Sequence, residues 1–228
     1  MQMWRRGANG EPMNPASRTY AVSLGLNLPE KLEEQRTYPI FGTRRGGTSM
    51  VAGVARALGL DLGGSELRRN NEDRRFHSAP LPILTEAVRE RDAEADVWGW
   101  KYPVGGRYMT ELSRSLRNPY YIAVYRDPVA AARSQLRRDD ETKRRTDRLA
   151  LHESAISIAI NTGFLLATDR PALLVSNERA LEDQEGLIDD IAAFLGVEPP
   201  AEPLRSAILE YIKPGKYKAF DDFFPPES

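Results

Sequence analysis

Short apolar runs alternate with helically spaced apolar positions along most of this chain. Thr37–Phe41 is uncharged and mostly apolar, the pattern of a short buried strand, with Pro39 removing one ladder donor. From Thr48 to Leu58 apolar residues recur at Val51, Val54, Ala55 and Leu58, which predicts a helix, and Gly59 supplies its stop. A helix is predicted from Pro82 to about Ala93, a strand over Val97–Lys101 and a helix over Tyr108–Leu116. Tyr120–Tyr125, aromatic and β-branched, is the strongest strand pattern in the chain. Asp127 and Pro128 then supply an N-cap and a first-turn proline. A long apolar helix over Leu149–Ala167, a strand over Ala172–Val175, a helix over Gly186–Leu195 closed by Gly196, and a last helix over Pro203–Tyr211 complete the series. This alternation predicts an α/β fold of three layers, a central parallel sheet of P-loop type flanked by helices.

The first 36 residues lack this periodicity. They read as an N-terminal extension, disordered in part or packed on the core, with a short helix expected near Pro29–Gln35. Residues 37–228 are expected to form one domain, and a chain of 228 residues, 41% of them hydrophobic, can bury one sizeable core. Between the first two predicted helices lies a polar connection, residues 61–79, with Gly63-Gly64 and Asn70-Asn71. Long ordered connections of this kind are often functional.

Charge changes the picture little at first. The formal net charge is −1, so no overall field points to nucleic acid. Yet 26 of the 32 Lys and Arg residues are Arg, whose planar fork suits phosphate and sulfate. The absence of Cys removes disulfides, thiolate nucleophiles and cysteine metal sites. With His77 and His152 as the only histidines, a zinc site is not expected. No continuous run reaches the roughly 20 apolar residues of a membrane span. The N-terminus lacks the apolar core of a signal peptide. The expectation is a soluble, cytoplasmic protein without a membrane span.

The candidate chemistry starts at Gly42-Thr43-Arg44-Arg45-Gly46-Gly47-Thr48-Ser49. A glycine loop between a strand and a helix is a phosphate-binding layout, because backbone N–H groups and the helix N-terminus face the anion. The spacing Gly42 to Gly47 is that of a Walker A loop, but Thr48 stands where the diagnostic Lys belongs. A second element follows the strong strand: Arg126-Asp127-Pro128, with Ser134 eight residues after Arg126. A strand-end Arg and a helix Ser can converge on one anion. Read from the residues alone, a P-loop kinase or nucleotide hydrolase and a non-catalytic binding module both remain open.

Four motifs in this order resemble the sulfotransferase family over about residues 37–200. Arg45-Gly46-Gly47-Thr48-Ser49 resembles that family's 5′-phosphosulfate loop, and Arg126…Ser134 its 3′-phosphate motif. Glu178 to Phe194-Leu195-Gly196-Val197 is similar to its Tyr-Glu-Asp-Leu…Phe-Leu-Gly-Val stretch, and Lys101-Tyr102-Pro103 to a Lys-Asp-Pro-Arg element. The resemblance implies transfer of a sulfuryl group from 3′-phosphoadenosine 5′-phosphosulfate (PAPS) to a hydroxyl, or to an amine, in line and without a metal. It assigns Arg45, Gly46, Gly47, Thr48 and Ser49 to the donor's 5′-phosphosulfate, Arg126 and Ser134 to its 3′-phosphate, Arg44 to the donor site beside the loop, Met50 to the place of the aromatic that stacks on adenine, and Asn177 to the position of the family's Tyr. It places Arg45 at the breaking S–O bond and Lys101 near the leaving group or the acceptor. The segment Asn71-Glu72-Asp73-Arg74-Arg75-Phe76-His77 resembles the family's Glu-Asp-x-x-Phe segment. That makes Glu72 the expected general base, with His77 as the alternative.

The departures are Met50 where an aromatic often follows the loop, Asn177 in place of Tyr, and Tyr102 and Val104 in place of the Asp and Arg of Lys-Asp-Pro-Arg. Lys213-Pro214-Gly215-Lys216 resembles the family's basic Gly-containing segment. His152 reads as structural. The charged run Arg137–Arg148, together with residues 61–79, is the expected acceptor-side wall. The resemblance leaves the acceptor open among a small molecule, a carbohydrate and a lipid.

Overall fold

Five strands form one sheet in the order β1-β5-β4-β2-β3. The computed structural model describes residues 14–64, 67, 68, 70–137, 146–213 and 219–224. The strands are β1 (Ser23–Leu26), β2 (Arg36–Gly42), β3 (Val97–Lys101), β4 (Tyr121–Tyr125) and β5 (Ala172–Ser176). The four strands β2 to β5 pair in parallel, and β1 joins β5 antiparallel at the sheet's edge. The helices are α1 (Thr48–Ala57), α2 (Leu81–Glu94), α3 (Gly106–Leu112), α4 (Pro128–Leu136), α5 (Asp147–Ala167), α6 (Asn177–Glu182), α7 (Gln184–Leu195) and α8 (Leu204–Ile212).

Two apolar cores, one per sheet face, follow from the period-two alternation of the strands. Tyr38, Ile40, Ile122, Val124, Leu173 and Val175 pack on one side with Val51, Val54, Ile191 and Ile208 of α1, α7 and α8. Phe41, Tyr121, Ala123, Trp98 and Trp100 pack on the other with α2, α3 and Leu165 of α5. Pro39 is accommodated inside β2. Thr37 bonds through both its backbone groups to the segment before β4, so alternation turns the Pro39 nitrogen that same way, and the ladder to β4 begins only at Ile40.

The expectations fail in three places. Ser23–Leu26, within the expected extension, is a strand, anchored where the buried Asp190 carboxylate accepts the Ala21 and Val22 N–H groups at 2.8 and 2.9 Å. Residues 29–35 hold no helix. A further helix, α6, starts directly at the end of β5, capped by the Ser176 side chain. Residues 138–145 of the expected wall and 214–216 of the basic C-terminal segment lie outside the described residues. Helix α5 is long and apolar enough, by length and composition, to cross a membrane, and 28% of its most apolar window is buried. It packs along α4 and α3, and its inward face carries Ser154, Ser157 and Asn161. Gln135 donates to Ser154 Oγ at 2.9 Å, a polar contact inside that helix pair.

Candidate active site

Four of the singled-out motifs begin where parallel strands end, on one side of the sheet. β2 ends at Gly42, β3 at Lys101, β4 at Tyr125 and β5 at Ser176, and parallel pairing brings those carboxyl ends together. Ligands of open α/β sheets bind at that edge.

The loop after β2 is shaped by its own packing. Gly46 N donates to Thr43 O at 3.0 Å, closing a turn in which Arg45 holds left-handed backbone (φ 61°). Gly47 is also left-handed, at φ 93°, and a methyl group there would overlap the buried Asn177 side chain. A methyl on Gly42 would overlap Val124 O of the neighbouring strand. Glycine is therefore demanded by close approach of protein to protein before any ligand is considered. Helix α1 opens at Gly47 with no side-chain cap. Its first N–H groups, and the positive end of the helix dipole, face the loop. Thr48 is buried, while Ser49 is half-buried.

Residues far apart in sequence close around this loop. Arg45 Nε lies 3.3 Å from Ser134 Oγ, and Arg126 Nη1 donates to Arg45 O at 2.7 Å. Arg126 Nε is buried without a hydrogen-bond partner among the described residues, 4.0 Å from Glu178 Oε1. Asp127 caps α4 through Ala130 N at 2.7 Å, which fixes the turn between Arg126 and the buried Ser134. The site thus presents an unsatisfied guanidinium donor, a second Arg, a hydroxyl and an uncapped helix start. That donor set has the charge and hydrogen-bond donors that a multiply charged anion would need. Met50 turns toward the main core, and Asn177 sits against Gly47.

A second cluster lies beside the loop. Lys101, fully buried at the tip of β3, donates to Glu72 Oε1 at 2.7 Å. Glu72 Oε2 lies 2.9 Å from His77 Nε2, close in distance though bent from the line of a good hydrogen bond. His77 packs against Tyr102 with the rings tilted by 33° and their centres 4.7 Å apart, and Tyr102 shares a hydrogen bond with Ser78 Oγ at 2.6 Å. Glu72, His77 and Tyr102 face a cavity of about 290 Å³ that Arg44, Pro103 and Val104 also line.

Electrostatics divides the labour. Burial pushes the Glu72 carboxyl up, but the Lys101 charge and hydrogen bond, aided by Asn70 and His77, outweigh it and hold Glu72 below the usual carboxylate range. Burial lowers Lys101, and Glu72 offsets part of that. Burial also lowers His77, opposed by Glu72 and reinforced by Arg68 and Lys101. At neutral pH the cluster is an ion pair beside a neutral imidazole.

Asn71 was not singled out by sequence reasoning. It is buried in left-handed backbone (φ 61°) directly before Glu72. Its amide reaches Ser49 O and Tyr211 Oη, each at 3.4 Å, and its carbonyl lies 3.3 Å from Arg56 Nη1. The backbone carrying Glu72 is thereby tied to the first turn of α1. The Asn70-Asn71 pair, a turn signal within a long connection, was the available clue. His152 is exposed on α5, away from these contacts. Among the described residues no three His, Asp or Glu side chains cluster as a metal site.

Solved structures similar to this one include two sulfotransferase domains. One is the sulfotransferase domain of the Synechococcus PCC 7002 olefin synthase, at TM-score 0.50 and 20% identity, over 88% of this chain and 92% of that domain. A second is the sulfotransferase domain from the curacin biosynthetic pathway, at TM-score 0.50 and 16% identity, over 78% of each chain. At these identities the likeness establishes a sulfotransferase-type fold. No protein-family model matches the sequence, and no curated protein sequence matches it.

Proposed function

We propose that this protein transfers a sulfuryl group from PAPS to an acceptor hydroxyl. The observation that carries the proposal is the convergence of Arg45, Arg126 and Ser134 on the uncapped start of α1. In this reading the α1 N-terminus, Thr48 and Ser49 hold the 5′-phosphosulfate. Arg126 and Ser134 hold the 3′-phosphate, with Arg126 Nε the unsatisfied donor that it fills.

The acceptor oxygen attacks sulfur as the S–O bond to the donor phosphate breaks, and negative charge grows on the departing phosphate oxygen. Arg45 and the helix N-terminus stabilise that charge. The acceptor proton goes to His77. A base works best with a pKa near the working pH, and Glu72, held low by Lys101, is a weak base. With the carboxylate 2.9 Å from Nε2, a small turn of the ring that straightens this contact would keep the proton on that side and leave Nδ1 to accept. Lys101, bound to Glu72, is then a positioning residue: it orients Glu72, which orients His77.

The test is Arg126→Ala, read by calorimetric titration with adenosine 3′,5′-bisphosphate (PAP) and with 5′-AMP. Loss of a charged hydrogen-bond donor costs roughly 1.5–3 kcal/mol. The expected result is a tenfold or greater loss of affinity for the bisphosphate and little change for AMP. Equal losses for both would remove the 3′-phosphate assignment.

A further inference from the structure

Resting on the sulfuryl-transfer reading, we propose that the acceptor is a small polyol bearing a carboxylate or phosphate, and that Arg44 binds its anionic group. The cavity beside the loop, at about 290 Å³, falls at the small end of ligand pockets, which span roughly 300–1,000 Å³. Most such pockets are predominantly apolar. This one is walled by Arg44, Glu72, His77 and Tyr102, with only Pro103 and Val104 apolar. That lining suits a hydroxylated ligand better than a sterol, a phenol or an acyl chain.

Among the described residues that line the cavity, one charge is left without a counter-charge. Glu72 is neutralised by Lys101 at 2.7 Å, and burial keeps His77 uncharged at neutral pH. Arg44 has no hydrogen bond or ion pair among the described residues, so its positive charge is left over. The backbone explains the separation from its neighbour. Arg45 is left-handed at φ 61° and reaches Ser134, whereas Arg44 lines the cavity. Adjacent arginines therefore serve two compartments, Arg45 the donor and Arg44 the acceptor, which replaces the donor-binding role that the resemblance implies for Arg44. The Tyr102 and Ser78 hydroxyls, 2.6 Å apart, each keep hydrogen-bonding capacity for further hydroxyls of a polyol. In transfer the acceptor hydroxyl gives its proton to His77 and its oxygen takes the sulfuryl group, while the anionic group on Arg44 is unchanged.

The proposal is tested on the full chain loaded with PAP. Calorimetric titrations use a uronic acid, a hexose phosphate, the matching neutral hexose and a simple phenol. The uronic acid or the hexose phosphate is expected to bind at least tenfold more tightly than the hexose and the phenol, and whichever does so distinguishes carboxylate from phosphate. Arg44→Ala is expected to erase that preference while affinity for PAP stays within twofold, and Arg44→Lys to restore part of it. Preference for the hexose or the phenol, or no binding of either anionic sugar, would overturn the proposal. So would an Arg44→Ala loss that falls on PAP instead. Failure of PAP to load would count against the sulfuryl-transfer reading itself.

Discussion

Two arginines next to each other in sequence part company because Arg45 adopts left-handed backbone, and the chemistry of the site turns on side chains separated in this way. The reverse holds for Glu72 and Lys101, which are distant in sequence and meet in the fold. Their motifs imply separate roles, but burial at the tip of β3 leaves Lys101 one partner among the described residues, Glu72. The pairing predicts a pH dependence. Burial, with Arg68 and Lys101, lowers His77 below its usual 6.5, so a His77 base stays unprotonated down to lower pH than a free imidazole. The acid limb of kcat is therefore expected below pH 6.5. Glu72→Gln removes the charge that raises His77, so the limb should move to lower pH while transfer persists at a reduced rate. His77→Ala should cost roughly a hundredfold or more in kcat, the usual range for a general base. A pH–rate profile of the three proteins checks this, and complete loss of transfer in Glu72→Gln at every pH would make Glu72 the base.

Among the elements, those that carry the site were legible from local pattern. The strand, loop and helix at 36–57, the strand at 97–101, and β4 with its Asp-Pro helix start all stand close to where periodicity and capping placed them. Each is defined by residues near in sequence. What could not be read depends on distant partners. β1 is four residues long, and only its pairing with β5 and the Asp190 carboxylate make it a strand. Asn177 could be matched to a motif position, but its contact with Gly47 needs the fold. Asp190 offers a test of the edge. Asp190→Ala leaves two N–H groups without their acceptor and should cost about 2–3 kcal/mol, with Asp190→Asn costing less because one oxygen remains. Burial raises the Asp190 pKa, so its contribution is full at acid pH and declines as pH rises through the folded value. The uncharged Asn variant should lack that decline. Urea denaturation at several pH values measures both, and equal, pH-independent costs for Ala and Asn would contradict the anchoring role.

At the scale of the whole molecule, the sheet acts as a device for convergence. Four parallel strands end at one edge, and each hands over a different part: the loop from β2, the Lys101 pair from β3, Arg126 from β4, and Asn177 from β5. The result is two adjoining compartments, an anion cradle without the Walker lysine and a polar cavity with a neutral imidazole. The account stands on the first being made for a 3′-phosphorylated adenosine nucleotide. The most direct measurement is thermal unfolding of the purified chain with PAP and, separately, with ATP and magnesium. A ligand that binds the native state adds roughly 2.7 kcal/mol of stability at a hundred times its dissociation constant. The account predicts a concentration-dependent rise in melting temperature with the bisphosphate and a much smaller one with ATP and magnesium. Stabilisation by ATP and magnesium alone would contradict it.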